Sequence, residues 1–223
     1  MPELSPFRVS AELALVTTLL LLLACLPLVR WRLSVLSPWA YVLESFFMLT
    51  MVLPPTVVGF YFITFLSPGA PLGRAIERIF GLRLLFTFPG LALASCLVCF
   101  PFMYQTLKTA MLAIDPRLIE SSYTLGKGRI ETFFRIIIPH MIPGIFSAIL
   151  LPFAHAVGEF GVALMVGGSV AGKTRTASIA LYESVEAMRY SEARAYALAI
   201  LAFSWLCIAV LSLSGSRQRR ALP

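Results

Sequence analysis

Charge is missing from five long stretches of this chain. No Asp, Glu, Lys or Arg lies between Glu12 and Arg30, Glu44 and Arg74, Arg83 and Lys108, Arg135 and Glu159, or Arg194 and Arg217. Each interval is long enough, or nearly so, to cross a hydrocarbon core of about 30 Å, which takes about 20 helical residues. The spacing predicts five helices at roughly 11–30, 45–67, 84–106, 139–166 and 195–213. The expected fold class is all-α, a polytopic transmembrane bundle forming one domain over residues 1–223. Strands of a membrane barrel would show period-two polarity, and none is visible. Composition agrees: 59% of residues are hydrophobic and 13% charged, whereas a soluble domain carries about 25% charge.

Several functions are excluded by what surrounds these runs. The net charge is +7, but Lys and Arg are scattered between the apolar runs rather than gathered in one patch. That is the membrane pattern and argues against nucleic acid as a partner. Cys96 and Cys99 form a CxxC inside an uncharged helix with no other soft ligand nearby, which suits packing better than metal or redox work. Leu22-Leu23-Ala24-Cys25 loosely resembles a lipoprotein cleavage site. The segment before it has one basic residue, Arg8, against Glu3 and Glu12, so a cleaved leader is disfavoured. Gly167-Gly168-Ser169-Val170-Ala171-Gly172-Lys173-Thr174 fits the phosphate-loop pattern. It continues a membrane run, however, and the chain's one aspartate, Asp115, lies upstream, where no magnesium-binding partner to this loop could come from it.

Proline recurs in the runs at Pro54, Pro55, Pro89, Pro101, Pro143 and Pro152. Each removes a backbone donor and tends to bend a helix. This fits a transporter that must flex, and equally the ordinary frequency of proline in membrane helices.

Between the third and fourth runs lies a charged island, about residues 115–139. Asp115 can cap a helix that begins at Pro116, and Gly126 and Gly128 supply a turn where positive φ costs little. A second short helix, Arg129 to Ile138, is expected to stop near Pro139. Two short helices joined by a glycine bend form a knob at the membrane surface: a docking element, or an interfacial hairpin with no partner.

Glu120-Ser121-Ser122, then Gly126, then Ile136 or Ile137 and Pro139 resembles the Glu-Ala-Ala…Gly…Ile-x-Leu-Pro loop of ABC-importer membrane subunits. Ser121 and Ser122 replace the alanines, and Ile138 replaces leucine. Gly158-Glu159-Phe160-Gly161 with Leu164 to Gly168 is similar to the oxyanion importers for sulfate, tungstate and molybdate. Val52 to Tyr61, with Gly172-Lys173-Thr174-Arg175, Ser178-Ile179-Ala180 and Val185-Glu186-Ala187, looks most like molybdate permeases. The resemblance covers about residues 11 to 213.

It implies a non-enzymatic permease subunit in a bacterial cytoplasmic (inner) membrane. Two cytoplasmic ABC ATPase subunits would carry ATP and magnesium, this chain binding no cofactor or metal. A periplasmic or extracellular oxyanion-binding protein would deliver the anion. Glu120, Ser121, Ser122, Gly126, Ile137 and Pro139 would form the ATPase-coupling loop. The same resemblance puts the island in the cytoplasm, the C-terminus inside and the N-terminus outside. Charge alone leaves this open, with ten basic residues on the island side (counting Arg217, Arg219 and Arg220) and eight on the other. Sulfate or tungstate import and a non-transporting membrane anchor are the alternatives.

A path or gate is expected at Pro54, Pro55, Gly158, Glu159, Phe160 and Gly161. Counting from Pro139, Glu159 should lie near the outer face, pairing with a base or backbone amides, or acting as an interface anchor. Gly158 and Gly161, with Ala154, make a small-residue stripe, suited to the seam of a homodimer that encloses the pore. Lys173 and Arg175, on an outer loop at about 167–194, could attract an anion or a binding protein, or be merely solvated. His140 and His155 read as packed helix residues.

Overall fold

The structure, a computed structural model, describes residues 3–35 and 37–219, with side chains as far as Leu213. The described residues form helices and connecting turns, with no strand among them. Arg220 of the basic tail lies outside them. The helices are α1 (Ser5–Ser34), α2 (Pro38–Met48), α3 (Pro55–Leu66), α4 (Pro71–Phe80), α5 (Phe88–Leu112), α6 (Pro116–Thr124), α7 (Arg129–Thr132), α8 (Ile138–Gly158), α9 (Gly161–Gly167), α10 (Ala177–Glu186) and α11 (Tyr190–Arg219). A 3-10 turn extends α2 to Met51, and a π turn at Phe133–Ile137 joins α7 to α8.

Among the described residues, four helices are long and apolar enough to cross a membrane alone: α1, α5, α11 and the continuous Arg129–Gly158 segment. The second expected span is broken. Its halves, Pro38–Met51 and Pro55–Leu66, are bent by 111°. The cause is local. Pro54 and Pro55 have no N–H to donate, and a residue preceding proline is pushed out of the helical region. Pro54 accordingly has ψ 138°.

The two halves reach opposite ends of the bundle. Glu44 of α2 meets Arg32 at the end of α1 and Lys108 near the end of α5. Phe62 of α3 and Leu85, just before α5 begins, pack against the same buried cluster. The pair therefore runs from one end of α5 toward the other, and counted as one span it brings the described residues to five spans.

The core lies where α1, α5 and α8 meet. Ala14, Leu21, Cys25 and Val29 of α1 pack against Cys99, Met103 and Leu107 of α5 and Met141, Ala148 and Ala156 of α8. Gly144 lets α8 press onto α5, since a Cβ there would stand 2.2 Å from the Ala110 Cβ. In lipid, where apolar burial gives little drive, such close packing is what joins helices. Much of the outward surface is apolar, including Trp39, Val42 and Phe46 on α2 and Leu201, Trp205 and Leu206 on α11. That surface suits a hydrocarbon solvent.

Three expectations are corrected here. The helix after Gly128 does not stop at Pro139 but continues to Gly158. The π turn just before Pro139 loosens the ladder where proline cannot donate. The expected span 139–166 ends instead at Gly158, and α9 starts afresh at Gly161. The expected outer loop 167–194 contains α10, with Ala177, Ile179 and Ala180 fully buried.

The Gly144 contact yields a test. Gly144→Val should separate α5 from α8 and cost about 1–3 kcal/mol, a fall of about 2–4 °C per kcal/mol in melting temperature. Gly128→Ala, with nothing near its Cβ position, should change the detergent-solubilised melting temperature by much less.

Candidate functional site

The candidate residues fall at three levels of the bundle. At one end is the hairpin α6–α7. The Asp115 carboxylate accepts from the Arg117 N–H at 2.9 Å and caps α6. Gly126 ends that helix with φ +77°, a conformation that favours glycine. The Ser122 and Thr132 hydroxyls lie 2.9 Å apart in a buried contact that fastens α6 to α7. Ile137 is buried in the main core, whereas Glu120, Ser121, Gly126 and Pro139 are exposed. The six residues therefore divide: Ser122 and Ile137 hold the hairpin to the bundle, and the others present its surface. Arg30 of α1 braces the same element, donating to the Arg129 carbonyl at 3.2 Å and lying 4.6 Å over the Phe133 ring.

Deeper in the bundle, two helix breaks meet. The gap between α8 and α9 is filled by Glu159 and Phe160, both outside helical geometry at one or other angle. The Glu159 side chain is 7% exposed. Its Oε1 accepts from the Val162 N–H at 3.1 Å, satisfying a donor that α9 would otherwise leave bare. Its Oε2 lies 3.5 Å from His155 Nε2, and its carbonyl accepts from the Ser178 hydroxyl at 2.6 Å. The Phe160 ring packs on Tyr182, 4.8 Å between centroids.

The other break comes to the same place. A Cβ on Gly161 would stand 2.8 Å from Pro55 Cβ, and one on Gly59 would stand 2.8 Å from Met165 Sδ. The start of α3 is thus seated on α9. Pro54, Pro55, Gly158, Glu159, Phe160 and Gly161 form one layer, with Pro54, Pro55 and Gly158 exposed.

This layer lies within the bundle, not at the end of α5. Gly144 is level with Ala110, and about fifteen further residues at 1.5 Å each bring Glu159 level with Ser95, well inside α5. Val162 packs with Ala94 and Val98, in agreement. Gly161 is also spent inside the chain, against Pro55, and is not free for a seam between copies.

At the far end, Lys173 is exposed on a turn. The Arg175 guanidinium is held by Glu183 at 2.8 Å and Glu3 at 2.9 Å, so its charge is already matched. The phosphate-loop lookalike is closed on itself. The Thr174 hydroxyl donates to the Gly167 carbonyl at 2.6 Å and accepts from the Val170 N–H at 3.2 Å. It follows a helix where a nucleotide loop follows a strand.

One cluster was not read from the sequence. Glu44 bridges Arg32 and Lys108, three residues from three helices. Its signal was available: Glu44 borders the longest charge-free run, where an unpaired carboxylate would be costly.

The family model described as binding-protein-dependent transport system inner membrane component matches residues 31–221. The chain belongs to that family. Over 220 residues it is 40% identical to the molybdenum transport system permease protein ModB of Azotobacter vinelandii, covering 98% of this chain and 96% of that one. It is 31% identical over 167 residues to a probable sulfate transport system permease protein, cysT, of Chlorokybus atmophyticus, covering 75% and 58%. Its fold matches a chain of a bacterial ABC transporter that imports the acidic polysaccharide alginate, with a TM-score of 0.74 at 18% identity. That match covers 99% of this chain and 80% of the other. A multi-pass membrane component of this kind is not itself an enzyme.

The Glu159 geometry carries its own test. Glu159→Ala should remove the cap on α9 and cost about 1–2 kcal/mol, seen as a lower melting temperature. Glu159→Gln keeps an acceptor oxygen and should lose much less.

Proposed function

We propose that this chain is the permease subunit of an ATP-driven molybdate importer. It works as a homodimer with two cytoplasmic ATPases and an external oxyanion-binding protein. The observation that carries the reading is the 40% identity to a molybdenum permease over nearly the full length of both proteins. The lower, shorter likeness to a sulfate permease makes sulfate the second candidate substrate.

The hairpin supports the coupling role. It is a compact, polar-surfaced element fixed to the core by Ile137 and by the Ser122–Thr132 contact. Force on Glu120 or Leu125 would therefore reach the helices instead of bending a loop. In this reading the hairpin faces the cytoplasm and the ATPases grip it, with ATP and magnesium held on those partners. The N-terminus lies outside and the C-terminus inside. The layer of Pro54, Pro55 and Glu159 to Gly161 is the gate, opened on alternate sides as the ensemble shifts between two packings. Glu159 shapes that gate by capping α9. An anion has little reason to contact a carboxylate, and the passage belongs to the exposed Pro54, Pro55 and Gly158 edge, facing a second copy.

The test is uptake into vesicles containing the permease, its ATPase and its binding protein. Labelled molybdate should enter in an ATP-dependent way, and excess sulfate should compete poorly. Effective competition by sulfate would move the assignment to sulfate, and no ATP-dependent uptake of either anion would reject importer function. Gly126→Val forces a β-branched residue to positive φ, costing at least about 1–2 kcal/mol. It should abolish uptake while the permease still inserts in the membrane.

A further inference from the structure

Helix α2 is held in an unusual way. Ala40 is the one residue of α2 that is buried. Trp39, Tyr41, Val42, Leu43, Phe46 and Phe47 are all exposed. Hydrophobic packing therefore does little to fix this helix against the bundle. Glu44 is different. Its side chain is 10% exposed, with the Arg32 Nε at 3.0 Å from Oε2 and the Lys108 ammonium on Oε1. Arg32 is itself 7% exposed, donates to the Val35 carbonyl at 3.1 Å and lies 4.0 Å over the Tyr41 ring. A carboxylate so far from water is tolerable only with its cations in place, and removing one partner of such a set is strongly destabilising.

The two cations sit on the helices nearest the hairpin. Arg32 is two residues past Arg30, which holds the Arg129 carbonyl and the Phe133 ring. Lys108 is in the last turns of α5, and α6 begins at Pro116. On its other side, α2 leads directly to the Pro54–Pro55 break and to α3, whose first turn rests on Gly161.

We propose that Glu44 is a positioning residue, the tether through which displacement of the hairpin reaches the broken span and so the layer where the two breaks meet. The inference rests on the coupling role proposed for the hairpin. When α1 and α5 shift with the hairpin, Arg32 and Lys108 carry Glu44 with them. The short α2 then turns about the 111° bend, and α3 slides on α9. Without the carboxylate, α2 has one buried residue and a few edge contacts to transmit that motion.

The test uses the complete transporter in lipid vesicles and compares basal ATP hydrolysis with hydrolysis stimulated by loaded binding protein. Glu44→Gln should lower the melting temperature, still assemble with basal hydrolysis, and lower the stimulated-to-basal ratio, with uptake, by about tenfold or more. Glu44→Asp, which keeps a carboxylate facing both Arg32 and Lys108, should retain most of the stimulation. If Glu44→Gln lowers only yield or melting temperature and leaves the ratio unchanged, the tether is overturned. If Glu44→Gln does not assemble, Lys108→Met, which keeps the Arg32–Glu44 pair, should reduce the ratio partially; an unchanged ratio overturns the proposal equally. Gly126→Val run in parallel separates the two ideas. If it uncouples while Glu44→Gln does not, the tether alone fails. If neither uncouples, the hairpin reading fails first.

Discussion

A peptide group in hydrocarbon must find a partner within the protein, and this chain breaks one apolar span at Pro54–Pro55 and ends another at Gly158 inside the bundle. Everything else follows from how those interruptions are satisfied. At the first, Pro54 and Pro55 have no donors to leave bare. At the second, the Glu159 carboxylate takes the Val162 N–H and the Ser178 hydroxyl takes the Glu159 carbonyl. The breaks are then stacked, Pro55 on Gly161, so that each shields the other. Irregular backbone at membrane depth is tolerated where it is buried in protein or lines a cavity. Here it is arranged for both, with a buried carboxylate on one side and an open edge at Pro54, Pro55 and Gly158 on the other.

The result is a molecule of unequal parts. Helices α1, α5 and α8 share a continuous core, closed by the near contact of Gly144 and Ala110. Helix α2 buries almost nothing, and α3 is held chiefly against α9. Parts with few buried contacts are those that open and shift at low cost. The rigid trio can therefore carry load from the hairpin, while the broken crossing provides the compliance that alternating access needs.

Much of this was legible in the chain. Charge-free intervals located the four long apolar helices and the bent pair among the described residues, because an unpaired charge in lipid is expensive; their ends moved, as α1 began at Ser5 and α5 ran to Leu112. The hairpin was legible through local chemistry, the Asp115 cap and the positive φ of Gly126. The breaks were not, because proline alone does not announce them: Pro27, Pro101, Pro143 and Pro152 all lie inside unbroken helices. What distinguishes Pro54–Pro55 and Glu159 is the partner each finds in distant sequence. The depth of Glu159 depended on where α8 meets α5, which only Gly144 against Ala110 reveals. Glu44 stood out at the border of the longest charge-free run, but its partners were hidden for the same reason, since Arg32, Glu44 and Lys108 are brought together by three separate helices.

The central claim is that the hairpin is a lever worked from the cytoplasmic side. Leu125, at its tip and 78% exposed, offers the direct measurement. Of the native cysteines, Cys25, Cys99 and Cys207 are buried and Cys96 is half-buried, so background should be low. A Leu125→Cys variant treated with a membrane-impermeant maleimide should stay unlabelled in intact cells. It should react in inside-out vesicles, and be protected there when the ATPase is added. Labelling from outside intact cells would contradict the account at its root.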